Sequence, residues 1–115
     1  MNYVDGFVVP VVTASRETYR QFAALAAPVF KEYGALRVVE CWGDDVPEGQ
    51  LTSFPLAVQR KPDETVVFSW VVWPSKAVRD AGMPKVMEDP RLRDAPMPFD
   101  GRRMIFGGFE VMLDV

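Results

Sequence analysis

The stretch from Thr65 to Trp73, TVVFSWVVW, restricts the folds open to this chain more than any other. Its residues are β-branched or aromatic apart from one serine, a composition that fits a pleated strand. Successive side chains of a strand point to opposite faces. Val66, Phe68, Trp70 and Val72 therefore share one face, and Val67, Val71 and Trp73 share the other. An antiparallel sheet with one wet face alternates apolar and polar residues. This strand does not alternate, so both of its faces need cover. The last strand, expected over 102–113, repeats the pattern, with Ile105, Phe109, Val111 and Leu113 opposite Met104, Phe106 and Met112.

The rest of the chain supplies the elements that such strands require. Residues 3–12, YVDGFVVPVV, read as a first strand. Ser15 is placed to cap a helix that has Glu17 in its first turn. Phe22, Leu25, Ala26, Val29, Phe30 and Tyr33 recur at helical spacing, and Gly34 stands at the position past the last turn. Pro28 lies within that helix, where an interior proline costs about 3 kcal/mol and predicts a kink. A second strand follows at 35–42, then the polar loop GDDVPEG and an extended arm over 51–60, which Pro55 assigns to a sheet edge. Beyond the strand at 65–73, Ser75 caps a second helix that starts at Lys76, which Gly82 and Pro84 are expected to break. Residues 90–100 read as irregular, and Asp100-Gly101 as a turn before the last strand.

The order is β-α-β, arm, β-α, loop, β. It predicts an α+β protein of the ferredoxin-like, split βαβ plan: a four-stranded antiparallel sheet with two helices on one face, in a single domain over 1–115. Two helices cover only one face. A second copy of the sheet is the simplest cover for the other, so a homodimer through the sheet face is expected.

Chemistry is narrowed by one number: the chain has no histidine. Imidazole acid–base work, His-based nucleophile systems and His-ligated zinc or haem are thereby excluded. A single cysteine, Cys41, excludes an internal disulfide and a cysteine-based metal site. The net charge of −3 and scattered basic residues give no stripe for phosphates, so no nucleic-acid partner is expected. No apolar run approaches the roughly 18–20 residues of a membrane span, and a cytoplasmic protein is the default expectation. Asp44, Asp45 and Glu48 lack the spacing of a calcium loop and read as a solvated turn. Neither a metal nor a cofactor is expected.

Four stretches together carry a family resemblance: YVDGFVVPV (3–11), KEYGALRVVECWGDDVPEG (31–49), DETVVFSWVVWPSKAVRD (63–80) and MPFDGRRMIFGGFE (97–110). The set resembles the YbaA-like bacterial family of unknown function, placed in the dimeric α+β barrel superfamily. The resemblance implies ferredoxin-like subunits whose sheets pair in a dimeric α+β barrel. It also implies a range of activities in the wider superfamily, among them cofactor-independent monooxygenases and isomerases, so fold alone selects none.

Candidate site residues are the polar and aromatic groups set among apolar strands. Glu40 and Asp5 are the candidate catalytic carboxylates, because a dry pocket raises a carboxyl pKa towards general-base use. The competing reading makes them structural ion pairs, with Arg37, Arg102 or Arg103 as partners. Trp42, Ser69, Trp70, Arg103 and Phe106 are the candidate ligand-binding residues, with packing as the alternative for the aromatics. Two functions follow: a dimer that binds a small apolar ligand or a partner protein, or a cofactor-independent monooxygenase or isomerase for a small aromatic or apolar compound. The glycines of FDGRRMIFGGFEV do not form a phosphate cradle, since no helix follows them. They are expected to mark a bulge or a close approach by a backbone or a large aromatic.

Overall fold

The centre of the sheet is the ladder between β1 (Tyr3–Val12) and β3 (Glu64–Trp73) in the computed structural model, which describes all residues 1–115. They run antiparallel from Tyr3 opposite Trp73 to Val12 opposite Glu64. Two six-residue strands flank this pair: β2 (Arg37–Trp42) against β3 and β4 (Ile105–Glu110) against β1. The order β2-β3-β1-β4 and the antiparallel pairing are those of the ferredoxin-like plan. Between the strands lie α1 (Arg16–Glu32), a single helical turn α2 (Phe54–Ala57), α3 (Lys76–Glu88) and a second short turn α4 (Pro90–Arg93).

The sheet is open. Its edges β2 and β4 do not pair with each other, so the barrel implied by the family resemblance is corrected to an open four-stranded sheet. The reason lies in the strand order and number: β2 and β4 stand at opposite ends of a four-stranded sheet, each bonded only to its inner neighbour, and four strands are too few to close on themselves around a core.

The two faces are covered differently. Odd-numbered residues of β1 and β3 meet the helices: Tyr3, Val71 and Trp73 pack with Ala26, Val29 and Phe30 of α1, Val86 of α3 and Leu92 of α4. Val9, Val11 and Val67 pack with Tyr19 and Ala23 of α1, with Trp42, Phe99 and Met104 at the margin. On the opposite face Val58, just after α2, packs with Val8 and Val66, and Phe54 meets Phe68 edge-on at 5.8 Å. The chain thus covers one end of its second face with its own arm. Phe68, Ile105 and Phe109 of that face remain exposed.

Several local expectations need correction. The arm is not an extended edge: Ser53 Oγ accepts from Leu56 N–H, and Pro55 occupies the first turn of α2, where its missing N–H costs nothing. Gly82 and Pro84 do not break α3, which is continuous over 76–88. A Cβ at Gly82 would meet the Tyr33 carbonyl and, at 2.9 Å, the Trp73 ring, so the glycine lets the helix lie close to the sheet. Ser15 sits at the start of α1 but its side chain makes no capping bond, whereas Ser75 caps α3 by accepting from Val78 N–H. Helix α1 runs through Pro28 to Glu32, and Gly34 follows it at φ +115°. The last strand is shorter than expected, because Arg102 and Arg103 belong to the turn before it. Part of 90–100 is ordered as α4, capped by Asp89.

Candidate functional site

The strand register collects the candidate residues into transverse rows on the helix-covered face. Glu40, Ser69, Phe7 and Phe106 form one row across β2, β3, β1 and β4, and Val38, Val71, Asp5 and Gly108 form the next. Two polar clusters grow from these rows.

Asp5 anchors the first. It is 3% exposed and would be costly there as a lone charge. The Arg79 guanidinium of α3 donates to it through Nη2 to Oδ1 at 2.8 Å and Nε to Oδ2 at 3.1 Å. Trp73 Nε1 donates to Oδ2 at 2.9 Å. Arg79 also lies 5.2 Å from the centre of the Tyr3 ring, and it extends to Asp80. Asp5 is therefore a saturated ion-pair partner, and its cation is Arg79 rather than Arg37, Arg102 or Arg103.

Glu40 belongs to the second cluster. The residue stands exposed on the β2 edge, yet its carboxylate turns towards buried Tyr19, whose Oη donates to Oε1 at 2.6 Å. Loss of water around it raises the Glu40 pKa, against the lowering effect of the Tyr19 hydrogen bond and of Ser69 opposite it on β3. Burial and the neighbouring carboxylate push the Tyr19 phenol far up, so it remains a donor. The arrangement keeps one carboxyl, with an elevated proton affinity, on a fixed hydrogen bond.

The other candidates scatter. Trp42 is half-buried under the guanidinium of Arg16, 5.3 Å from its ring centre. Phe106 stacks on Phe7 with ring centres 6.4 Å apart and is 72% exposed. Trp70 points to the opposite face, next to Phe68 at 5.5 Å. Arg103 is occupied by structure: Nη1 and Nη2 grip Glu64 at 2.7 and 2.6 Å, Nε binds Asp100 at 3.0 Å, and Nη1 also donates to the Gln59 carbonyl. The two glycines create no bulge, because the β1–β4 register is unbroken through Gly107 and Gly108. A Cβ at Gly108 would strike Tyr3 Oη and lie 2.8 Å from Arg79 Nη2, so the close neighbour is an aromatic of the same chain.

Two surface hollows complete the picture. One, of about 250 Å³, is lined by Cys41, Trp42, Phe54, Val66, Phe68 and the 43–46 turn. The other, of about 430 Å³, lies between α1 and the β2 edge. Both open to solvent, and no buried side-chain nitrogen or oxygen lacks a hydrogen-bond partner. No cluster of three metal-ligating side chains forms, and no helix is long and apolar enough to cross a membrane.

Sequence reasoning missed Tyr19, Arg79 and Glu64. The signal for Tyr19 was present: Tyr19, Ala23, Ala26 and Phe30 are spaced as one helix face and are the buried stripe. Arg79 was hidden because α3 was expected to end before it formed a regular face.

Comparisons place these features among known proteins. The family described as "Protein of unknown function (DUF1428)" matches residues 2–101. The "Uncharacterized protein YbaA" of Escherichia coli K12 is 57% identical over 116 residues, covering 99% of each chain, and so is that of Shigella flexneri. Among solved structures, a dimeric ferredoxin-like protein from an uncultured marine organism superposes with a TM-score of 0.62 at 12% identity, over 100% of both chains. The ferredoxin-like fold and the resemblance to YbaA stand, while the barrel attached to that resemblance is replaced by the open sheet.

Proposed function

This chain belongs to the DUF1428 family of proteins of unknown function, and from that membership we propose a homodimer that binds a small apolar ligand without transforming it. The observation that carries the reading is the apolar face left uncovered by α1 and α3. Val4, Val39, Phe68, Trp70, Val72, Ile105 and Phe109 lie together there, with Phe109 62% exposed. A contiguous patch of this kind is unusual on a monomer, and a self-complementary face is the commonest route to a two-fold dimer. The dimeric description of the marine ferredoxin-like protein agrees with it. The hollow beside Trp42, Phe54 and Phe68 adjoins this face and supplies aromatic walls for the ligand.

Binding is favoured over turnover because both candidate carboxylates already have partners. Asp5 is held by Arg79 and Trp73, and Glu40 by Tyr19. The elevated proton affinity of Glu40 is the one observation on the side of a monooxygenase or isomerase. Glu40→Gln tests that side: unchanged ligand conversion removes Glu40 from any chemical step.

Light scattering on a sizing column tests the dimer. The expected mass is twice the 13.0 kDa of one chain, falling to a single chain in Phe109→Asp with the far-ultraviolet spectrum retained. A wild-type monomer at micromolar concentration would refute the dimer.

A further inference from the structure

We propose that the hollow between α1 and the β2 edge is a binding site for a small amphipathic carboxylate: an apolar body that carries one anionic head. This site is distinct from the aromatic hollow, and it borders the proposed dimer face through Arg37 and Val39, which pair with Val72 and Trp70 of that face.

Its walls set the class of ligand. Helix α1 presents Ala24, Ala27 and Pro28 there, short side chains that leave a recess, and β2 supplies Val38 and Val39. The volume of about 430 Å³ falls in the range of small-molecule sites. Two cations, Lys31 from the last turn of α1 and Arg37 from the first residue of β2, complete the lining.

These cations are free, which sets them apart from most others in the protein. Of 13 lysines and arginines, Arg20, Arg60, Lys76, Arg79, Arg91, Arg93, Arg102 and Arg103 are held in ion pairs. Arg16 rests on Trp42. Lys31, Arg37, Lys61 and Lys85 have neither kind of partner, and of these four only Lys31 and Arg37 line this hollow together, although carboxylates stand near them in the chain. Glu32 is taken by Arg91, and the Glu40 carboxylate by Tyr19. No acidic side chain lines the hollow. A guanidinium and an ammonium across an apolar recess match a carboxylate head with a hydrocarbon body, because the charged hydrogen bonds fix the head while the walls take the tail. β2 is also an edge strand, so its outer N–H groups add donors on the same side.

Octanoate is a suitable probe. Titrated into the ¹⁵N-labelled full chain at neutral pH, it is expected to give saturable amide shifts within residues 24–31 and 37–39. Octylamine should leave those amides unmoved, and octanol should bind about tenfold more weakly or worse, for want of the charged hydrogen bonds. Lys31→Gln with Arg37→Gln should weaken octanoate by about tenfold or more without altering the free spectrum elsewhere. The proposal is overturned by any of four results: no saturable shift, shifts confined to 41–46 and 66–68, octanol binding as tightly as octanoate, or an unaffected double variant. The same titration on Phe109→Asp, the variant expected to be a single chain, should give the same shifts, so failure of the dimer and failure of this site are read separately.

Discussion

Replacing Arg79 with methionine removes the cation that holds Asp5 and keeps most of the apolar stem. Asp5 is 3% exposed, and without Arg79 its carboxylate retains only the Trp73 Nε1–H donor. Breaking one side of a buried pair costs about 3–5 kcal/mol. Arg79 is itself one-quarter exposed, which places the expected loss near the lower end, about 3 kcal/mol. Its contact with exposed Asp80 adds little. Against a total stability of about 5–15 kcal/mol this is a large fraction. With a urea slope of about 1–3 kcal/mol per molar, the midpoint should fall by about 1–3 M. Urea unfolding followed by tryptophan fluorescence suits the measurement, because Trp73 is buried against the same carboxylate. The control is Asp5→Leu combined with Arg79→Met. An apolar pair of similar volume is often neutral, so the double variant should recover part of the loss and leave mainly the orphaned indole N–H, worth about 1–3 kcal/mol. A loss below about 1 kcal/mol for Arg79→Met, or no recovery in the double variant, would refute the account of Asp5 as a desolvated, paired charge.

Other outcomes follow from the same packing. Gly108→Ala should cost about 1–3 kcal/mol, because its Cβ collides with the Tyr3 hydroxyl and crowds Arg79, and Tyr3→Phe should recover part of this. Gly101→Ala faces open space and should stay within about 0.5 kcal/mol of wild type in the same urea assay. Two glutamates should show opposite pH slopes. The Arg103 hydrogen bonds hold the Glu64 pKa below its ordinary 4.5, so the stability it contributes is complete above that value and lost as pH falls through the lowered one. Glu64→Gln should therefore lower stability at pH 7 and flatten the acid limb of the urea midpoint. The Glu40 pKa is raised by burial, so its contribution is full at low pH and declines as pH rises through the raised value. Glu40→Gln should remove that decline.

The layout was legible because the strands are strongly marked and the connections short. YVDGFVVPVV and TVVFSWVVW have few alternatives to a strand, and the two helices between strands leave the ferredoxin-like order as the natural arrangement. What proved illegible was local wherever proline or glycine has two uses. Pro55 reads as a strand-edge residue until Ser53 is seen to cap a helical turn. Gly82 reads as a helix breaker until the Trp73 ring is found against it. The site was legible in part: Glu40 and Ser69 do face each other across two strands. Asp5 was rightly singled out as a charge in need of a partner. The partner lies 74 residues away on α3, a separation that no local pattern encodes.

The central ladder also bears on how the chain is made. Tyr3 pairs with Trp73, 70 residues further along, and the other neighbour of β1 is the last strand of all. At about 5–20 residues per second, ribosomal synthesis leaves β1 without either neighbour for roughly 4–14 seconds. During that interval YVDGFVVPVV is an unpaired apolar segment, the kind most prone to pair with other chains. Asp5 and Pro10 interrupt it near its two ends. A charge and a residue without an N–H are the features that hinder wrong strand pairing. The carboxylate that needs Arg79 to be tolerated in the finished sheet thus protects the strand before α3 exists.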